Sequence, residues 1–415
     1  MIECYVHEMA EKKTISKTGE MQAVAGQGAE LARLMAQRNR GGKRGWLGRR
    51  KSTKVFKVLA IDGGGIRGLV PARVLEEIEA RTGKPIAEMF DMVAGTSTGG
   101  ILATGLTAPD PKNKNKPRYS ASDLAAIYHR HGRELFPPTV FRRLRPITGG
   151  LYDIGALQRV LDKQLGDTRM SDSLTHLVLP AYDIERRQPV FMRHLKGHRD
   201  RDFFMKDAAS ATAAAPAYFP PVELHAVRGR GAKQVQGERF ALVDGGVVAN
   251  NPSLVALLQA MRVAPPDAEI MIVSVGTGSG VKPISVDKAR NWTARDWINP
   301  LGGMPLVKMV LNGSGDLASA AVREMIGVNY HRITMNFRAP HDKENQPASA
   351  MDDASVNNMS RLEGFAREMI RHHSDELDDI CERLTGTRPA PPKAPRRRPV
   401  LQASKRRVRR HLPRL

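Results

Sequence analysis

Three glycine-bearing motifs carry the residues of this sequence that are suited to chemistry. In chain order they are residues 62–68 (DGGGIRG), 95–100 (GTSTGG) and 244–246 (DGG). Ser97 is a candidate nucleophile, because the glycines around it permit the sharp strand-to-helix turn that exposes a serine to substrate. Asp244 supplies a carboxylate that can take the serine proton. Together the motifs predict a serine hydrolase in which a carboxylate can serve as the base without a catalytic histidine.

The first motif is a loop of closely spaced backbone N–H donors, which suits an anion. Residues 63–68 also fit the dinucleotide pattern GxGxxG, but that pattern needs an acidic residue about 20 positions on, at the end of the next strand. Glu88 and Asp91 have roughly that spacing and lie before or near the start of that strand. A phosphate loop of the Walker type is excluded, because no Gly-Lys-Ser/Thr follows. We therefore expect the loop to bind the oxyanion of an attacked ester.

Strands and helices alternate around these motifs. A short apolar run at 55–61 precedes the first motif, and a helix opens at Pro71 and closes at Gly83. The run 90–94 leads into Ser97 and an apolar helix at 101–106. Further strands are predicted at 177–182, 240–243, 270–275 and 329–334. This alternation predicts an α/β fold with a largely parallel sheet and helices on both faces.

Asp244 follows the predicted strand 240–243, so its carboxylate is expected at a strand end, near the other motifs. Desolvation there would raise its pKa toward the working range of a general base. Histidines at 331, 341, 372 and 373 follow Asp244 in the chain, the order of an ordinary Ser-Asp-His triad. The residues alone therefore leave open whether a histidine joins Ser97 and Asp244 as a third catalytic residue. They also leave open whether the Asp-Gly-Gly turn has only a structural role.

Basic residues are concentrated at the two ends of the 415-residue chain, whose net charge is +22. Residues 387–415 carry +11, residues 1–54 carry +7, and residues 55–386 carry only +4. We expect a partly disordered basic appendage at 1–54, one enzyme domain at 55–386 and a disordered Pro/Arg-rich tail at 387–415. The tails are candidates for contact with anionic lipid or nucleic acid, or are simply solvated. The polar insert at 282–304 contains Trp292 and Trp297, expected as packed surface rather than a lid or a membrane-touching edge.

The combination of motifs resembles the patatin-like phospholipase family over nearly all of residues 55–386. Besides the three motifs, the matching segments are 208–221 (AASATAAAPAYFPP) and 275–278 (VGTG). The resemblance implies a three-layer α/β/α fold and acyl-ester hydrolysis, usually of phospholipids, without a metal or organic cofactor. It also implies roles for individual residues: a catalytic dyad of Ser97 and Asp244, an oxyanion hole from Gly63, Gly64 and Gly65 supported by Arg67, and a nucleophile elbow flanked by Gly95 and Gly99.

Two alternatives to a plain lipid acyl hydrolase remain open. A weaker resemblance to bacterial patatin-like phospholipases of anti-phage defence implies an effector that is dormant until a cyclic nucleotide binds. The basic tails suggest a nucleic-acid-binding or membrane-binding protein with a vestigial hydrolase core. We expect a cytoplasmic protein with peripheral membrane association, since the first residues lack the pattern of a signal peptide. Acyl-chain and positional preference, the lipid class and the oligomeric state do not follow from the sequence.

Overall fold

The computed structural model describes residues 54–137, 151–198, 201–229, 234–280, 284–298, 304–337, 346–348 and 350–387. Almost all of the expected basic appendage and basic tail lies outside these ranges. The described strands are β1 (Val55–Ile61), β2 (Met92–Gly95), β3 (His176–Asp183), β4 (Gln188–His194), β5 (Val222–Arg228), β6 (Val235–Asp244), β7 (Glu269–Val275) and β8 (Tyr330–Ile333).

The described α-helices lie between and after these strands. They are α1 (Leu69–Thr82), α2 (Ile86–Met89), α3 (Thr98–Thr107), α4 (Ala121–Leu135), α5 (Ile154–Leu165), α6 (Met205–Thr212), α7 (Gly246–Ala249), α8 (Ser253–Val263), α9 (Val286–Ala289), α10 (Ala294–Ile298), α11 (Pro305–Ile326), α12 (Val356–His372) and α13 (Ser374–Thr385). Short 3₁₀ turns occur at Gly65–Gly68, Met170–Asp172 and Gly327–Asn329.

The strands form one mixed sheet in the order β5-β6-β3-β2-β1-β7-β8, with β4 paired to β3. The β3–β2–β1–β7–β8 part is parallel, as the alternation of strands and helices predicts. The β4, β5 and β6 pairings are antiparallel. The predicted strand at 240–243 therefore belongs to the antiparallel part of the sheet, where the chain returns through a β5–β6 pair instead of a helical crossover.

The central strands are largely apolar because both of their faces are covered. In β1, Leu59 and Ile61 belong to a core that includes α1, α3, α4, α5, α6, α12 and α13. Val58 and Ala60 face the other way, into a second core formed with α8 and α11. Residues of alternate parity thus serve opposite layers. The result is the three-layer α/β/α arrangement that the resemblance implies.

Candidate active site

Ser97 lies at a strained turn between β2 and α3. Its φ and ψ are 56° and −125°, a backbone conformation that residues other than glycine rarely adopt. A Cβ on Gly95 would collide with the Gly99 carbonyl, and a Cβ on Gly99 would collide with the carbonyl of Ile61 on β1. The two glycines therefore let the turn close against the neighbouring strand. The side chain of Ser97 lines a cavity directly above this turn.

Two threonine side chains stabilise the turn through hydrogen bonds on the side away from the cavity. The Ser97 amide donates to the Thr212 hydroxyl at 3.2 Å, and that hydroxyl donates to the Pro180 carbonyl at 2.6 Å. The Thr96 hydroxyl donates to the Ala249 carbonyl at 2.6 Å. These bonds tie the turn to β3, α6 and α7, so the position of Ser97 is set by several elements at once. Thr212 belongs to the alanine-rich segment 208–221, and no feature of that segment distinguishes it from the sequence alone.

Asp244 is the last residue of β6 and reaches the same level of the sheet as Ser97. Ala94 of β2 is opposite Val178 of β3, and Asp244 is opposite Ala181, three residues further along β3. Ser97 likewise follows Ala94 by three residues. The antiparallel direction of β6 thus delivers the carboxylate beside the turn, where the Ser97 hydroxyl is close enough to lower the pKa of Asp244.

Burial sets the acid–base behaviour of Asp244, whose side chain is almost fully enclosed. Removal from water raises the pKa of its carboxyl group to about 6, although hydrogen bonds from the Ser97 hydroxyl and the Gly246 amide act in the opposite direction. The Gly246 N–H lies 2.6 Å from Asp244 Oδ1. At neutral pH the group is therefore ionised, yet it is a stronger base than an ordinary aspartate.

The glycine loop comes between β1 and α1 and lies directly beside Ser97. The Gly63 amide donates to the Asn250 carbonyl at 3.0 Å, so it is already used within the protein. Among the residues that the structure describes, the amides of Gly64 and Gly65 have no hydrogen-bond partner, and both residues line the cavity next to Ser97. Of the three loop amides predicted from the sequence as oxyanion donors, the geometry favours these two.

The loop conformation depends on the absence of side chains. Gly65 has φ of 59°, and a Cβ there would collide with the Met351 carbonyl. A Cβ on Gly64 would collide with the side chain of Thr277, whose hydroxyl donates to the Gly63 carbonyl at 3.0 Å. Thr277 lies in the VGTG segment and contacts the loop from the turn that follows β7.

Arg67 braces the loop as well. Its Nε lies 3.4 Å from the Gly64 carbonyl, and its guanidinium lies 5.9 Å from the ring centre of Phe337. Burial lowers its pKa to about 10, so the group stays protonated at neutral pH. Arg67 faces a small side pocket next to the main cavity, which also contains Lys308. Its contacts fit a loop-holding role better than a direct contact with the oxyanion.

The cavity above Ser97 has a volume of about 250 Å³. Its walls are almost entirely apolar apart from Ser97, Thr98, Asp244, Asn250 and the glycine loop. Apolar side chains reach it from several elements of the fold, among them Ile101, Phe136, Leu157, Phe219, Val307 and Leu311. A hydrocarbon chain therefore fits this space, with its polar end at Ser97.

The histidines that follow Asp244 have other partners. The Nε2 atom of His331 contacts Arg383 at 2.8 Å, and His373 contacts Glu376 at 3.0 Å and the Thr334 carbonyl at 3.1 Å. His341 lies outside the described residues. In the part of the chain that the structure describes, no group of three His, Cys, Asp or Glu side chains is arranged to hold a metal ion.

Comparison with known proteins decides the family. A family model described as patatin-like phospholipase matches residues 59–257. The patatin-like protein 2 of Oryza sativa is 31% identical over 361 residues, which cover 79% of this chain and 87% of the rice protein. This chain belongs to the patatin-like phospholipase family. Lipid acyl esters are accordingly the substrate class to expect of the fold.

Other members of the patatin-like family match to a similar extent. Patatin-like protein 2 of Arabidopsis thaliana is 29% identical over 354 residues, covering 76% of this chain and 82% of its own. A Solanum tuberosum protein, probable inactive patatin-3-Kuras 1, is 31% identical over 346 residues, covering 78% and 88%. Membership alone therefore leaves activity to be tested. No helix in the described ranges combines the length and hydropathy needed to cross a bilayer.

Proposed function

We propose that this protein is a lipid acyl hydrolase that cleaves fatty acyl esters through a dyad of Ser97 and Asp244. The observation that carries the proposal is the meeting of three features in one apolar cavity. A serine at a strained turn lies beside a buried carboxylate of raised pKa, and next to it are two loop amides that have no hydrogen-bond partner among the described residues. A nucleophile, its base and a place for negative charge are the parts that acyl transfer needs.

In the first half of the reaction, Ser97 Oγ attacks the ester carbonyl while its proton moves to Asp244. The carbonyl oxygen becomes an oxyanion, which the amides of Gly64 and Gly65 stabilise, aided by the positive end of α3. When the intermediate collapses, the bond to the leaving alcohol breaks, and the alcohol takes the proton from Asp244. A lysophospholipid or another alcohol leaves, and the acyl group stays on Ser97.

In the second half, water attacks the acyl-serine and gives its proton to Asp244. The same two amides bear the second oxyanion. Collapse releases the fatty acid, and the proton held by Asp244 returns to Ser97 Oγ, which restores the enzyme. The raised pKa of Asp244 suits both directions of proton transfer, because a carboxyl group with a pKa of about 6 can accept and release a proton at neutral pH.

The proposal is tested by the products released from phospholipid. Purified protein is incubated with phosphatidylcholine micelles, and fatty acids and lysophospholipids are measured by mass spectrometry. We expect release by the wild type and by the exposed-residue controls Ser360→Ala and Asp379→Asn, but not by Ser97→Ala or Asp244→Asn. Labelling of the wild type by a fluorophosphonate, with loss of the label in Ser97→Ala, identifies the nucleophile. Equal release by all five proteins would disprove the dyad.

The two alternatives stay untested predictions. Activation by a cyclic nucleotide rests on a general resemblance, and binding of nucleic acid rests on the basic ends of the chain, which lie almost wholly outside the described residues. The complete set of parts at Ser97 favours a working hydrolase over a vestigial one.

A further inference from the structure

Helix α11 carries apolar side chains on its solvent side. Leu306, Met309, Val310 and Leu317 are 44%, 50%, 43% and 70% exposed. With 3.6 residues per turn, Leu306, Val310 and Leu317 fall within about 40° of one another around the helix axis. We call the surface formed by these four side chains the α11 face. The opposite side of the helix is also apolar and is buried in the protein through Gly315, Ala318 and Val322.

An exposed helix surface is ordinarily polar, so the α11 face needs an explanation. Leu306 and Val310 provide one, because they line the catalytic cavity as well as facing solvent. The cavity therefore opens at the α11 face. A second copy of the chain seated there would close the entrance to substrate, whereas a lipid layer would present substrate to it.

The neighbouring helix adds residues suited to the same partner. Helix α10 packs against α11, and its Trp297 ring stacks edge-to-face on Trp292 at 4.8 Å. Tryptophan favours the boundary between water and lipid, so this half-buried pair suits a membrane-touching edge better than the packed surface expected from the sequence. Over 284–298 and the whole of α11 the cations are Lys288, Arg290, Arg295, Lys308 and Arg323 and the acids are Asp287, Asp296, Asp316 and Glu324, so the small positive excess lies before residue 313. This local excess has the same sign as the net charge of +22 on the chain, which disfavours self-association and attracts an anionic surface.

We propose that the α11 face, together with the Trp292–Trp297 pair, docks onto an anionic phospholipid bilayer and turns the mouth of the catalytic cavity toward the lipid. This names the surface on which the enzyme works and rests on the lipid acyl hydrolase activity proposed above. The apolar side chains enter the layer, the nearby cations meet the headgroups, and an acyl chain passes into the cavity without crossing water.

Binding is measured without turnover, in the Ser97→Ala background, by sedimentation with phosphatidylcholine vesicles that contain or lack phosphatidylglycerol. The test variant is Met309→Asp/Leu317→Asp, since neither residue lines the cavity. The matched control is Ile184→Asp/Val235→Asp, which exchanges two exposed apolar residues, one in the β3–β4 turn and one at the start of β6, for the same charges. We expect the test variant to lose about tenfold or more in partitioning to anionic vesicles, and the control to stay within about twofold.

Three results would overturn the proposal: unchanged binding by the test variant, an equal loss in the control, or equal binding to both kinds of vesicle. So would light scattering that shows a wild-type dimer which the test variant dissociates while vesicle binding persists. Hydrolysis of soluble 4-nitrophenyl butyrate is measured in parallel with Ser97 restored, and we expect the same rate in the wild type and both double variants. Absence of soluble-ester hydrolysis by the wild type would refute the hydrolase, whereas absence of vesicle binding by the Ser97→Ala protein, with wild-type hydrolysis intact, would refute only the docking surface.

Discussion

The guanidinium of Arg332 donates to both carboxylate oxygens of Asp62, with Nη1 2.8 Å from Oδ1. The same Nη1 donates to the Ser274 hydroxyl at 2.8 Å. Asp62 is the first residue of the glycine loop, and Arg332 lies on β8, so the ion pair fastens the foot of the loop to the strands beside β1. Both groups are largely withdrawn from water, and each therefore depends on the other for its charge to be tolerated.

Replacement of Arg332 by Gln is expected to destabilise the fold and to slow catalysis. Removing one partner of a buried ion pair costs about 3–5 kcal/mol, and the loop that carries Gly64 and Gly65 loses its anchor. Arg332→Lys keeps the charge but not the paired geometry, so we expect an intermediate defect. Urea unfolding and steady-state kinetics measure the two effects. A stable Arg332→Gln protein with wild-type kcat would show that the anchor does not position the loop.

Asp244→Asn is expected to abolish turnover and yet stabilise the protein. The folded pKa of about 6 exceeds the ordinary 3.8, so the contribution of this carboxyl to stability is present below pH 4 and is lost as the pH rises through 6. At pH 7 the fold carries a buried charge that the amide removes. We expect a gain of up to about 3 kcal/mol in the free energy of unfolding, with activity lower by about a hundredfold or more. Equal stability of both proteins at pH 7 would show that Asp244 is not desolvated.

The pH dependence of kcat/KM on a soluble ester reports the same group. Only ionised Asp244 can accept the Ser97 proton, so the rate should fall as the pH drops through about 6. The measurement is a pH–rate profile, with circular dichroism at each pH to show that the fold is intact. An acidic limb near pH 4, where ordinary aspartates titrate, would contradict the raised pKa.

Gly64→Ala tests the oxyanion loop. The new Cβ would collide with the side chain of Thr277, so the loop must shift and move its amides. Loss of one such donor lowers kcat by about a hundredfold or more. Gly364→Ala is the matched control, because its Cβ would have only Arg367 Nη2 near it, at 3.9 Å, on the exposed side of α12. We expect wild-type kcat in the control. Undiminished kcat in Gly64→Ala would remove the loop from the mechanism.

Much of the architecture could be predicted, because the central strands are short apolar runs bounded by glycine and aspartate. Strand β1 occupies the predicted residues 55–61, and α1 ends at Gly83, whose φ of 67° suits a helix terminus. The largely parallel sheet flanked by helices is confirmed. The antiparallel direction of β6 was not predicted, because the residue pattern of a strand does not show whether it pairs parallel or antiparallel to its neighbours.

The site was only partly accessible from the sequence. Ser97, Asp244 and the glycine loop are brought together as expected, although their catalytic roles stay predictions. The hydrogen bond from the Gly63 amide to the Asn250 carbonyl could not be predicted, because residue types do not determine which backbone groups pair. Arg332 was missed for a related reason: its partner Asp62 is 270 positions away, and only the β1–β7–β8 pairing brings them together.

The Ser97 turn packs closely against Ile61, so residues of this turn tolerate few substitutions, whereas the α11 wall of the cavity tolerates more. Any side chain at Gly99 would push the turn off β1, so the catalytic centre offers almost no room for adjustment. The cavity wall formed by α11 borders on water and has no such restriction at Leu306 or Val310. We therefore expect substitutions at Leu306 and Val310 to change which acyl esters the cavity accepts, while the turn that carries Ser97 is left untouched.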